Sequence, residues 1–168
     1  MVEQSVKLRH ARENDCKLLW EWANDLDVRA VSFSRGSIPW ETHVEWFRSK
    51  RDNPSCAFYI ATVGAETPIG QIRFDLKGDQ AVVSISVGRE HRGKGYGSLL
   101  VRLSAGELFR TTAVTAIHAY VKRGNETSVR AFERAGYQNL GAITVEGEEA
   151  FQLFLSRSDQ DDCGRNRN

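Results

Sequence analysis

The stretch Val87-Gly88-Arg89-Glu90-His91-Arg92-Gly93-Lys94-Gly95-Tyr96-Gly97 decides how this chain is read. An alternating apolar segment, residues 80–87, runs into it, and a helical pattern, residues 98–109, leaves it. A strand that passes through an Arg- and Gly-rich turn into a helix N-terminus is built to hold phosphate. First-turn N–H groups have no partner within the helix, and the helix dipole adds roughly half a positive charge there. In Arg92-x-x-Gly95-x-Gly97 the glycines keep side chains out of the space between those amides and a pyrophosphate, and they permit positive φ.

Two common nucleotide patterns are excluded by spacing. A P-loop requires Lys-Ser/Thr after its last glycine, and none follows here. A dinucleotide fingerprint requires Gly-x-Gly-x-x-Gly and an acidic residue about 20 positions on; residues 113–120 hold neither Asp nor Glu. A ligand-free Gly-rich connection is the plain alternative, but three alternating glycines in one turn cost stability without return.

Working outward, the 168 residues suit one domain, which at this size buries about 70% of its unfolded surface. A net charge of +1 argues against a general nucleic-acid binder. Local charge is more telling: Arg89, Arg92 and Lys94 against Glu90 leave +2 around the loop, which suits an anionic ligand. Cys16, Cys56 and Cys163 are odd in number and widely separated, so neither a disulfide framework nor a metal site is expected. The first residues do not form a signal peptide, and no apolar run approaches a membrane span. A cytoplasmic protein with no nucleic-acid or membrane partner, monomeric or homodimeric, is the expectation.

The pattern predicts a strand at 6–10 and a helix at 13–24 with Cys16, Leu19, Trp20 and Ala23 inward. A loop with at most a helical turn follows at 25–39, then a helix at 40–51 with Val44, Phe47 and Trp40 inward. Strands are predicted at 56–63, 69–76 and 80–87, and the helix after the loop should bury Leu99, Leu100, Leu103 and Leu108. The rest alternates: strand 113–121, helix 125–135, strands 137–145 and 150–155. The fold class is therefore mixed α/β. One domain over 1–156 and a disordered polar tail at 157–168 complete the reading.

Arg92-x-x-Gly95-x-Gly97 after a strand resembles the acetyl-CoA pyrophosphate loop of the GCN5-related N-acetyltransferase (GNAT) superfamily. A second block, Asn125-Glu-Thr-Ser128-Val-Arg-Ala-Phe132-Glu-Arg-Ala-Gly136-Tyr137, is similar to that superfamily's second cofactor-contacting segment. Their order and separation match over roughly residues 5–156. The resemblance implies a central, mostly antiparallel sheet of six or seven strands, splayed at the acetyl-CoA site and flanked by about four helices. It implies an N-acetyltransferase that takes acetyl-CoA as cosubstrate. The Val87 backbone N–H would face the thioester carbonyl, with Ile85 and Val87 lining the pantetheine channel. Arg92, Gly93, Lys94, Gly95, Tyr96, Gly97 and Ser98 would hold the pyrophosphate, and Asn125, Ser128 and Phe132 the second contact.

The chemistry departs from the family at one place. Many members carry a Tyr as general acid four residues before the helix-ending Gly, and this chain has Phe132 there. Tyr120, on the neighbouring strand, is the substitute phenol. Asp75, His91, His118 and Glu126 fall near the proposed cleft, and none is singled out as base.

All four tryptophans fall within the first 46 residues. The segments Trp22-Ala-Asn24-Asp25-x-Asp27-Val28-Arg29 and Ile38-x-Trp40-Glu-x-His43-x-x-Trp46-Phe47 are similar to a narrower subgroup, the N-acetyltransferases of amino-sugar nucleotides in pseudaminic acid and related surface-glycan pathways. That resemblance implies a UDP-linked amino sugar as acceptor, with polar contacts from Asn24, Arg29 and His43 and stacking from Trp40 and Trp46. Protein N-terminal or antibiotic acetylation is the rival activity, and a cofactor-binding regulatory domain without turnover the rival class.

Overall fold

Period-2 and period-3.6 segments alternate along the chain much as the sequence predicts. The computed structural model describes residues 5–160. Strand β1 (Lys7–His10) leads through a 3-10 turn (Glu13–Asp15) into helices α1 (Cys16–Ala23), α2 (Leu26–Val31) and α3 (Trp40–Arg51). Strands β2 (Cys56–Val63), β3 (Thr67–Lys77) and β4 (Gln80–Val87) follow, then a 3-10 turn (Arg89–His91) and α4 (Tyr96–Thr111). The chain closes with β5 (Ala116–Lys122), α5 (Glu126–Arg134), β6 (Gln138–Val145) and β7 (Glu148–Ser156).

These strands form one seven-stranded sheet in the order β1-β2-β3-β4-β5-β7-β6. Only β4 and β5 run parallel, as a strand–helix–strand crossover requires. Their pairing is short: Gln80–Val83 of β4 face Ala116–Ala119 of β5, and no pair lies beyond. Yet β4 continues to Val87, paired only with β3, and β5 continues to Lys122, paired only with β7. The sheet therefore opens into a cleft between its two central strands.

The two faces of the sheet carry different cores. Tyr59, Ile72, Phe74, Val83, Ile117 and Leu153 pack with Leu100, Leu108 and Phe132 of α4 and α5. On the opposite face Phe58 and Ile60 pack with Leu19 and Phe47 of α1 and α3. Beyond that smaller core, alternation leaves Gln71, Arg73, Ser84, Ser86, His118, Tyr120 and Gln152 on the same face, a half-buried polar trough.

Several expectations shift: Trp40, expected inward, is 40% exposed, and Leu99 is only half-buried. Residues 26–31, expected within a loop, form α2, because the Asp25 carboxylate accepts the Asp27 and Val28 N–H groups and caps it. The expected helix at 13–24 opens as a 3-10 turn. In α4 the buried stripe is Leu100, Val101, Ser104, Ala105, Leu108 and Phe109; Leu103 lies 36% exposed on its flank. Finally, residues 157–160 are helical rather than part of a loose tail. The Arg157 guanidinium donates to the carbonyls of Phe109, Thr112 and Val114, and its backbone N–H donates to the Thr115 carbonyl at 2.9 Å. A cation among the last carbonyls of α4 is favoured by the helix dipole. The remainder of the expected tail, 161–168, lies outside the described residues.

Candidate active site

The end of β4 forms one wall of the cleft. Gly88 N–H donates to the Ile69 carbonyl at 2.9 Å, and Val87 lies opposite Gly70. In an antiparallel ladder successive residues turn their N–H and C=O alternately toward one neighbour and then the other. Those of Val87 and Ile85 therefore point away from β3, toward the side that β5 has left. Trp22 of α1 backs this corner: a Cβ on Gly88 would stand 3.2 Å from its indole, so any larger residue would push the ring back by a few tenths of an ångström.

The loop beyond is shaped by its glycines. Gly93 and Gly95 have φ of 71° and 82°, and Gly95 opens α4 without a side-chain cap. Among the described residues no group accepts a hydrogen bond from the N–H of Gly93, Lys94, Gly95, Tyr96, Gly97 or Ser98. The Ser98 hydroxyl turns back to the Gly95 carbonyl at 3.2 Å. Tyr96 packs edge-on against His91, with ring centres 6.2 Å apart. A row of unclaimed amides at the N-terminus of a 16-residue helix is the arrangement that a pyrophosphate requires.

Helix α5 completes this side. Asn125 caps it by accepting the Ser128 N–H at 3.4 Å. A Cβ on Gly97 would lie 3.6 Å from the Ala131 Cβ, which sets α4 close beside α5. Phe132 departs from expectation: it is 2% exposed and packs edge-on against Tyr137 at 5.0 Å. The inner face of α5 carries it into the core, where it packs instead of lining the cleft.

Arg92 is also placed differently. Its Nη1 donates to Asp25 Oδ1 and Asp27 Oδ2, both at 3.1 Å, and its Nε donates to the Val87 carbonyl at 3.0 Å. Two carboxylates already neutralise the charge expected to face phosphate. Lys94 is left as the loop cation without an ion pair among the described residues.

The five acceptor candidates divide. Asn24 is consumed as a strap: its Oδ1 accepts the Ile38 N–H at 2.7 Å, and its Nδ2 donates to the Trp20 and Ile38 carbonyls. His43 is 2% exposed, and its Nε2 meets the Cys16 carbonyl at 3.0 Å, so that nitrogen carries the proton. Burial lowers the His43 pKa, against that hydrogen bond, and keeps it a neutral core residue. Trp46 packs edge-on against Phe58 and lies under the Arg73 guanidinium, 5.0 Å from its ring centre. Trp40 is 40% exposed and meets Trp20 edge-on at 5.5 Å. Arg29 lines a cleft of about 500 Å³ with Trp20, Asn24, Leu26 and Ile38. Its Nη groups hold Ser32 and Ser34, while its buried Nε has no partner among the described residues. The expected acceptor wall is thus mostly a self-packed aromatic layer, and Asn24 and Arg29 alone of the five share a cleft.

Across the trough the charges pair. Asp75 holds Lys50 at 2.6 Å and Arg73 at 3.1 Å, and Glu148 holds Arg35 at 3.0 Å and Lys122 at 3.4 Å. Burial penalises the Asp75 carboxylate, but its two cations more than compensate and hold its pKa below the ordinary value.

Residues 5–138 match the family described as acetyltransferase (GNAT) domain. The chain belongs to the GNAT acetyltransferase family. Curated relatives include aminoglycoside N(6')-acetyltransferase type 1 of Klebsiella pneumoniae and of Serratia marcescens, each 25% identical over 91% of this chain and 84% of the relative. Among solved structures, spermidine N-acetyltransferase from Vibrio cholerae in complex with CoA and spermine superposes with a TM-score of 0.82 at 16% identity. That match covers 92% of this chain and 97% of the other. Aminoglycoside acetyltransferase AAC(6')-Ib with coenzyme A and kanamycin gives 0.81 at 24% identity, covering 98% and 100%.

This GNAT protein is an N-acetyltransferase and uses acetyl-CoA, which sets aside the reading as a regulatory domain without turnover. The unclaimed amides of 93–98 and the open edge of β4 fit that cosubstrate. Of the proton-transfer candidates, His118 is engaged at both nitrogens, by Gln80 Oε1 at 2.8 Å and Gln152 Nε2 at 3.3 Å. Tyr120 lies one residue past the last β4–β5 pair, at the mouth of the splay and on the trough face. Asp25, Trp22 and Gln71 also border this site, although the sequence pattern assigns them no role there. An N-cap pattern before residues 26–31 was the signal that would have found Asp25.

Proposed function

We propose that this enzyme transfers the acetyl group of acetyl-CoA to the primary amine of a nucleotide-linked amino sugar. The cosubstrate supplies an activated thioester. The amides of residues 93–98, with Lys94, bind its pyrophosphate, Asn125 and Ser128 border its path, and Ile85 and Val87 line the channel. The Val87 N–H, directed into the cleft, donates to the thioester oxygen and stabilises charge that develops there. Tyr120 stands at the mouth as the phenol able to protonate the departing sulfur.

The charge of the trough carries the choice of acceptor. Four cations, Lys50, Arg73, Lys122 and Arg35, surround two carboxylates, Asp75 and Glu148, an excess of two positive charges. Such a lining favours an acceptor bearing a diphosphate and disfavours a polycation. Arg29, whose buried Nε has no partner among the described residues, offers a further donor beside Trp20. A second reading, acetylation of an aminoglycoside, is favoured by the curated relatives at 25% identity.

A panel of acceptors separates the two. Thiol release from acetyl-CoA is followed with a UDP-linked 4-amino sugar, kanamycin, spermidine and peptides that begin with Ser or Ala. Release that depends on the sugar nucleotide is expected. Release with kanamycin alone would replace this acceptor with the second reading.

A further inference from the structure

Asp25 joins three parts of the molecule through its two oxygens. Oδ1 accepts the N–H groups of Asp27 at 3.1 Å and Val28 at 3.3 Å, which caps α2, and also accepts Arg92 Nη1 at 3.1 Å. Oδ2 accepts Arg89 Nε at 2.9 Å. Its side chain is 13% exposed. Burial disfavours the charged carboxylate, but Arg89, Arg92 and the Val28 N–H outweigh that and hold its pKa at about 2.

From Asp25 the connection runs on through Arg92. Its guanidinium is planar, so the direction of Nε–H follows from where Nη1 is held. That Nε–H donates to the carbonyl of Val87, the residue whose own N–H opens into the cleft. Val87 lacks the second strand that would otherwise fix a residue in mid-sheet, because β5 has left its side. Arg92 takes the place of that missing neighbour. Meanwhile Arg89 and Arg92 are balanced by Asp25 and Asp27, so the four side chains together offer a phosphate no net charge.

We propose that Asp25 and Arg92 act as one positioning unit, which fixes the Val87–Gly88 peptide and ties the aim of the Val87 N–H to the seating of α2. The proposal rests on the reading that this N–H faces the thioester. Arg92 then serves turnover rather than cofactor affinity. Because α2 also borders the cleft that holds Arg29, an acceptor that shifts α2 would alter the aim of the donor.

The test uses the full chain and three variants, Asp25→Asn, Arg92→Gln and their combination. Asn caps a helix as well as Asp does, so the first removes the charge and keeps α2. Turnover is read as thiol release with whichever amine the wild type uses, or as acetyl-CoA hydrolysis without one. CoA affinity is read by calorimetry. Each single variant should lose about 10- to 100-fold in kcat, the scale of a misaimed donor. CoA affinity should change less than about threefold, below the tenfold that corresponds to a lost charge-assisted bond. The double variant should be no worse than Arg92→Gln, since residues acting as a unit are not additive. Weakened CoA binding with kcat unchanged would make Arg92 a phosphate ligand and overturn the proposal, as would additive losses. Val87→Pro removes the N–H itself, at a position that does not bond β3. Undiminished turnover by Val87→Pro would remove the donor reading and the positioning unit together. Loss in Val87→Pro with full turnover in Arg92→Gln would leave the donor and remove the unit alone.

Discussion

The proposed cofactor end and the proposed acceptor end of the cleft are built from different parts of the chain. Around 85–98 the groups proposed to bind are backbone N–H groups, exposed by glycines and by the departure of β5. Side chains there mostly hold the backbone in place, as Arg92 does for the Val87 carbonyl. On the acceptor side, residues 20–47, side chains carry the surface, and most of them face one another: His43 lies among Trp40, Trp46 and Phe47. A backbone site tolerates changes of side chain but not of conformation. A side-chain wall is the reverse, and its chemistry changes whenever its packing does.

The largest effect should come from breaking that wall at its base. Phe47 is fully buried and meets Phe58 edge-on at 5.9 Å. Phe47→Ala should cost about 3–5 kcal/mol, read as a lower midpoint in urea unfolding. A loss below about 1 kcal/mol would mean that the aromatic layer is loosely packed, and the contrast drawn above would fail.

Gly95→Val probes the other end. At a φ of 82° a β-branched residue is strained by about 1–3 kcal/mol, and relief of that strain turns the α4 amides away. Acetyl-CoA affinity should fall by about tenfold or more, the loss of one charge-assisted hydrogen bond. Calorimetry checks this, and undiminished affinity would place the pyrophosphate elsewhere.

A pH-dependent effect lies where the two ends meet. The Asp25 pKa is lowered from 3.8 to about 2, so its contribution to stability is full above the higher value and disappears as pH falls through the lower. Between about pH 5 and pH 2 the advantage of the wild type over Asp25→Asn should shrink by about 2 kcal/mol. Parallel stability curves for the two proteins would show that Asp25 is not held by its arginines.

Legibility follows the same division. Helix α3 occupies the residues predicted for it, 40–51, because Pro39 and the Asp52-Asn53-Pro54 run punctuate it on both sides. The extents of β2 and β4 were equally plain, since alternation and flanking turn residues agree. Helix α2 was hidden in a turn-rich segment, where its Asp25 cap read as one more loop residue. His43, Asn24 and Phe132 have residue types that suit a ligand, yet each is consumed by the fold: one by the Cys16 carbonyl, one by Ile38, one by Tyr137. Residue type records what a side chain could do. Partners 14 or 27 positions away decide what it does.

By itself the sequence determined the Gly-rich turn between β4 and α4, the order of the seven strands, and the resemblance that named the chemistry. These depend on spacing along the chain, which glycine positions and apolar periods record directly. Tertiary structure alone decided where β4 and β5 part, that Val87 turns its N–H into the gap, and that Arg92 serves Asp25 and Val87. Those outcomes depend on which groups meet across distances of up to 67 residues, and no local pattern encodes such a meeting.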